Sequence, residues 1–174
     1  MTYTFSLLSA EQARVIAAWR YEPPYDFYNS DADPADPANP ANPADLEELL
    51  DRRNPYYAVA DGSGDIIGFF CFGETAQAPA GLTAGAYNDP DALDIGLGMR
   101  PDLTGRGRGL AFVEAGLQFA DETFRPHSFR LSVATFNHRA IAIYERSGFR
   151  PTCTFVSRTD SGDTEFVVMV RMPC

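Results

Sequence analysis

The chain has 174 residues, 24 acidic side chains and 14 basic ones, and a net charge of -10. All the basic residues are arginine, so a Walker-type phosphate lysine and Schiff-base chemistry on the protein are excluded, and the acidic balance argues against a nucleic-acid partner. With 45% hydrophobic and 13% aromatic residues it can bury the core of one domain spanning residues 1–174, which excludes global disorder.

Residues 3–8 alternate loosely, as a strand does. Ser9, with Gln12 three positions on, forms a capping box that opens a helix running to about Arg20. The segment Tyr21 to Asn29 holds two prolines and four aromatic residues, too many prolines for a helix and too many rings for a linker. Residues 33–44 repeat X-Pro-Ala four times, so residues 31–44 read as an inserted, polyproline-like loop. A short helix over Asp45 to Asp51 follows. Tyr56 to Ala60 and Ile66 to Phe72 are strands joined by a glycine-containing hairpin loop.

Residues 76–91 are rich in Ala, Gly and Pro and read as irregular, and Ala92 to Met99 as a strand. Arg100 to Gly109 is a turn rich in glycine and arginine. Leu110 to Glu122 has helical periodicity, with Leu110, Val113, Leu117 and Ala120 on its apolar side. Phe129, Leu131 and Val133 alternate as a strand. Asn137 caps a helix from His138 to Arg146, and Gly148 stops it. Phe155 to Ser157 and Thr164 to Arg171 are the last strands. Hairpins combined with one strand–helix–strand crossover give an α+β class with a mixed, mostly antiparallel sheet and about four helices.

Ile66 to Phe72, the longest apolar run, is far short of the ~20 residues a membrane helix needs, and no signal peptide is visible. Three cysteines, Cys71, Cys153 and Cys174, and two histidines, His127 and His138, show no metal-ligand spacing. The expectation is a reduced cytoplasmic protein with no metal and no membrane partner. Charge is unevenly spread: residues 1–91 hold 15 acids and 4 arginines, residues 92–174 hold 9 acids and 10 arginines. The acidic half suits a cationic substrate, although a solvated acidic surface explains the asymmetry as well.

Two segments carry chemistry. Met99-Arg-Pro-Asp-Leu-Thr-Gly-Arg-Gly-Arg-Gly-Leu110 follows a strand and opens a helix. Glycines there let several backbone N–H groups converge, and the helix N-terminus adds positive potential, an arrangement that binds phosphate. The dinucleotide-fold spacing fails because its third glycine is missing. In the second segment, Asn137 and Tyr144 lie seven residues apart, about two helical turns, so both can face one groove. Taken singly, Asn137 is also a plain helix cap and Tyr144 a core aromatic.

In this order and spacing the two segments resemble the GCN5-related N-acetyltransferase (GNAT) family. Its acyl-CoA pyrophosphate loop falls on Thr104-Gly105-Arg106-Gly107-Arg108-Gly109, with Thr104 in place of the usual Gln or Arg. Its Asn…Ala…Tyr…Gly-Phe segment falls on Asn137, Ala140, Tyr144, Gly148 and Phe149. The resemblance implies a twisted sheet that splays to hold acyl-CoA. It also implies Leu97 and Met99 pairing their main chain with the pantetheine arm, and a pyrophosphate cradle over Thr104 to Leu110.

It further implies acetyl transfer to a primary amine, small or peptidic, by direct attack in a ternary complex. A phenol near ~10 stays protonated at neutral pH and can protonate the leaving thiolate, the role that falls to Tyr144. An acceptor ammonium near ~10.4 must lose a proton, for which Glu74 and Asp94 are the candidate bases; each is also readable as an ordinary carboxylate. Trp19, Tyr21, Tyr25, Phe27 and Tyr28 cluster where the family places its acceptor wall, with Trp19, Tyr25, Tyr28 and Glu74 as substrate contacts, or else they pack the core. A catalytically silent acyl-CoA sensor or scaffold is the alternative, and homodimerisation stays open.

Overall fold

Ser9 opens the first helix through the reciprocal bonds its sequence predicts. Its Oγ accepts from the Gln12 N–H at 3.2 Å, and the Gln12 side chain accepts from the Ser9 N–H at 2.9 Å. In the computed structural model, which describes residues 2–29, 43–53, 55–159 and 162–172, this helix, α1, spans Ala10–Ala17. It ends before the expected Arg20 because Arg20 Nη1 turns back to the carbonyls of Ala17 and Trp19, at 2.9 and 2.7 Å, and closes the C-terminus.

Chain contacts gather into two compact units, Met1–Phe70 with Leu97–Thr104, and Cys71–Gly96 with Gly105–Cys174; two of the three boundaries fall inside strands and the third in the glycine-rich turn. The first unit holds β1 (Thr4–Leu7), α1, α2 (Pro43–Leu50), β2 (Tyr56–Ala60), most of β3 (Ile66–Phe72) and the end of β4 (Ala92–Met99). β1 pairs antiparallel with β2, Thr4 opposite Ala60 and Leu7 opposite Tyr57. Its core is built on Ala13, Ile16, Val59, Ile67 and Phe70. Helix α2 starts two residues before the expected Asp45, and residues 31–42 of the Pro/Ala insertion lie outside the described residues.

The second unit holds α3 (Pro79–Thr83), α4 (Gly109–Phe124), β5 (Ser128–Ala134), α5 (His138–Arg146), β6 (Arg150–Thr159) and β7 (Gly162–Arg171). β4 and β5 run parallel, while β5–β7 and β6–β7 are antiparallel. The strand order in the sheet is β1-β2-β3-β4-β5-β7-β6. Helix α4 buries Phe112, Val113, Gly116, Leu117 and Ala120, and Phe119 and Phe124 pack on Phe72 with ring centroids 6.1 and 5.1 Å apart.

Two expectations change. Residues 76–91 are not wholly irregular: α3 lies within them and is one of five α-helices among the described residues. Its glycine is what admits it, since a Cβ on Gly81 would stand 2.6 Å from the Tyr87 ring and 3.0 Å from Phe155. Strand β6 is ten residues long rather than three. Most of its side chains are exposed on the sheet edge, with an irregularity between Pro151 and Cys153, so no apolar alternation marks its start. Among the described residues, no helix is long and apolar enough to cross a membrane.

Candidate functional site

The glycine-rich turn has the backbone its composition demands. Gly105 and Gly107 adopt φ of 71° and 75°, and Arg108 returns to the right-handed region at φ -84° and ψ -18° as the residue before α4. A Cβ on Gly107 would meet nothing within 4 Å. Positive φ, not crowding, therefore requires glycine there. No side chain caps α4. Its first N–H groups have no partner within the helix, and with the alternating turn they form a nest that suits an anion.

Helix α5 is packed against this nest. Gly109 starts α4 in contact with the tip of Ile143, which leaves no room for a Cβ. A Cβ on Gly105 would lie 3.6 Å from Arg139 Nη1, so that guanidinium stands beside the loop. Arg106 and Gly107 are exposed, and Arg108 and Leu110 are half-buried. Sequence reasoning passes over Arg139; its position two residues after the helix cap was the available signal.

Asn137 caps α5, its side-chain oxygen accepting the Ala140 N–H at 3.2 Å. Tyr144 is buried on the same helix, its ring edge-on to Phe149 at 6.0 Å, and its carbonyl accepts the Phe149 N–H at 3.0 Å. Gly148, at φ 91°, makes the tight turn that brings Phe149 back onto Tyr144.

Strand β4 carries the other predicted donor contacts. The Arg100 N–H donates to the Ile67 carbonyl of β3 at 2.8 Å. Peptide groups alternate in direction along a strand, so the N–H and C=O of Leu97 and Met99 point away from β3. Among the described residues the parallel β4–β5 ladder carries three pairs and stops at Asp94 with Arg130, though both strands continue. Thr104 is turned inward: its Oγ1 donates to the Pro101 carbonyl at 2.8 Å and closes that turn.

The two candidate bases separate. Asp94 is buried, and Arg130 grips it bidentately at 2.6 and 2.8 Å, with Gln77 Nε2 donating a further bond at 2.7 Å. Arg130 also donates to the Asp89 carbonyl at 3.2 Å and stacks over Tyr87, and the Asp94 carboxylate beside it raises its pKa. Both Asp94 oxygens are committed to this network, a poor position from which to take a substrate proton. Glu74 is exposed in a short turn over Gly73–Ala76. That turn is tethered, since the Gln77 N–H donates to the Glu74 carbonyl at 3.0 Å while the Gln77 side chain holds Asp94.

The aromatic segment is mixed. Trp19 is half-buried and packs on Phe69 at 6.3 Å, and Phe69 in turn covers Gly98. Tyr25 is half-buried, while Phe27 and Tyr28 are 46% and 40% exposed and meet edge-on at 5.2 Å. Trp19 thus contacts the Phe69 ring, and part of the Tyr28 ring faces solvent. Among the described residues, no three His, Cys, Asp or Glu side chains converge to hold a metal.

The glycine-rich turn opens α4, α5 with Tyr144 packs on the first residue of that helix, and the parallel β4–β5 ladder ends at Asp94. The family model for the acetyltransferase (GNAT) family matches residues 16–149, and the chain belongs to that family, as an N-acetyltransferase. Solved structures share the fold. A chimera of spermidine N-acetyltransferase SpeG from Vibrio cholerae and hSSAT matches at 17% identity and TM-score 0.71, over 99% of this chain and 96% of that one. A dodecameric spermidine N-acetyltransferase from Vibrio cholerae matches at 16% identity and TM-score 0.65, over 98% and 93% of the two chains. No curated protein matches the chain by sequence.

Proposed function

We propose that this enzyme transfers the acetyl group of acetyl-CoA to a cationic primary amine by direct attack in a ternary complex. The observation that carries the donor half is the cradle: two positive-φ glycines leading into an uncapped helix, with Arg139 beside them. The N–H groups of Gly107, Arg108, Gly109 and Leu110 take the pyrophosphate, and Arg106, Arg108 and Arg139 supply the positive charge that Thr104 lacks. Leu97 and Met99 offer main-chain groups to the pantetheine arm as an added strand would.

The amine nitrogen attacks the thioester carbonyl, the carbon–sulfur bond breaks, and the thiolate takes its proton from the Tyr144 hydroxyl. The acceptor ammonium loses one proton to Glu74, directly or through water, before it attacks, and the second proton, shed by the nitrogen as the adduct collapses to the amide, restores the Tyr144 hydroxyl. Asp94 is the lesser candidate because Arg130 and Gln77 occupy its carboxylate.

For the acceptor, the support is the acidic charge of residues 1–91, the exposed Tyr28 and Glu74, and the spermidine named for several of the structural neighbours. The reading places the enzyme in the reducing cytoplasm, as a homodimer or larger homo-oligomer. CoA release from acetyl-CoA, followed with a thiol reagent across spermidine, smaller amines, amino acids and peptides, tests it. Turnover with cationic amines that falls as salt rises supports it. Acetyl-CoA binding without turnover on any amine leaves the silent acyl-CoA module instead.

A further inference from the structure

The chemistry above leaves Tyr21 unused, yet its hydroxyl is placed with care. It donates at 2.8 Å to the carbonyl of Met99, the last residue of β4. Across a trans peptide the Met99 C=O and the Arg100 N–H point in opposite directions. The Arg100 N–H goes to β3, so the Met99 carbonyl lies on the strand's other side, the side on which Leu97 also presents its peptide groups. Tyr21 therefore caps the β4 edge that an added strand would use.

Its own backbone is clasped. The Asn29 side chain accepts the Tyr21 N–H at 2.7 Å and donates to the Tyr21 carbonyl at 3.2 Å, and the Asn29 N–H donates to the Asp26 carbonyl at 3.0 Å. Residues 21–29 thus form a closed loop that delivers the hydroxyl to one point. Burial raises the Tyr21 pKa to about 12, so the group remains a donor throughout the physiological range.

We propose that Tyr21 is a positioning residue for the acyl donor: by holding the Met99 carbonyl it pre-organises the end of β4 and sets where the pantetheine arm pairs with that strand. The proposal rests on the acyl-CoA reading of β4. An edge already fixed loses less freedom when the arm docks, so part of the arm's affinity resides in this hydroxyl. It also ties the aromatic loop offered to the acceptor to the strand offered to the donor.

Tyr21→Phe tests it, read by titration calorimetry with three probes. CoA carries arm and phosphates, S-acetylpantetheine carries the arm alone, and adenosine 3′,5′-bisphosphate carries nucleotide phosphates without the arm. The expected result is a loss of about threefold to tenfold for CoA and for S-acetylpantetheine, the scale of one neutral hydrogen bond, with adenosine 3′,5′-bisphosphate unchanged. Asn29→Ala, which opens the clasp and spares the hydroxyl, gives a smaller loss in the same pattern and carries the test if the Phe variant does not fold. Equal CoA affinity in wild type and variant, or weakening of CoA and adenosine 3′,5′-bisphosphate in parallel, overturns the assignment. Wild-type protein that binds no CoA overturns the acyl-CoA reading itself.

Discussion

Asp94 and Arg130 face each other as the last pair of the parallel β4–β5 ladder, and their side chains form a buried ion pair at 2.6 Å. The pair staples the two strands at the point where their pairing ends. It also organises the connection from Gly73 to Asp91. Arg130 reaches the Asp89 carbonyl, Gln77 reaches Asp94, and the Tyr87 hydroxyl, 2.8 Å from Ser132 Oγ, accepts the Ala78 N–H. Removing one partner would leave the other charge buried and unpaired. Asp94→Ala is expected to cost about 3–5 kcal/mol of stability, read by urea unfolding. Asp94→Asn, which keeps hydrogen-bonding capacity, should cost less. A near-neutral Asp94→Ala would show that water reaches Arg130.

The cradle is tested at Gly107. Its Cβ position is open space, so Gly107→Val meets no steric wall, but a β-branched residue is strained at φ 75°. The expected outcome is a folded protein whose melting temperature falls by several degrees, with CoA affinity reduced at least tenfold. Unchanged affinity would make the turn a connector only.

Tyr144 and Glu74 separate by kinetics. Tyr144→Phe keeps the ring that packs on Phe149 and removes only the hydroxyl. If the phenol protonates the thiolate, the single-turnover rate should fall by roughly 10²–10⁴-fold with CoA affinity within about tenfold of wild type. Glu74→Gln should raise the acceptor KM or lower kcat, and leave CoA affinity untouched. Full activity in the Phe variant would reduce Tyr144 to a core aromatic.

Tyr21 predicts a pH dependence. Its folded pKa of about 12 lies above the ordinary value of 10.0. The unfolded chain therefore releases this proton first as pH rises. The stabilisation is whole below pH ~10 and is lost as pH climbs toward ~12. Tyr21→Phe should lose less stability than wild type across that window, measured by urea midpoints. Parallel curves would mean that the hydroxyl is more hydrated than its burial indicates.

The sequence by itself determined the elements whose signals are local. The capping box at Ser9 and Gln12, the apolar runs of β2 and β3 around their glycine-containing turn, the full extent of β4 and α5, and the glycines at 105 and 107 were all legible, because cap chemistry, side-chain pattern and positive φ are properties of a few neighbouring residues. So was the pairing of the glycine-rich turn with the Asn137–Phe149 segment, whose spacing carries the family resemblance.

What only the tertiary structure decided are relationships across long stretches of chain. Asp94 reads in sequence as a candidate base, and only the arrival of Arg130, 36 residues on, commits it to an ion pair. Tyr21 reads as one aromatic among five, and only the fold sets its hydroxyl on Met99, 78 residues away. Arg139 beside Gly105, and α3 seated on Phe155 through Gly81, follow the same rule. A hydrogen bond or a close contact depends on distance in space, and no local pattern of residue types records which remote group will fill that distance.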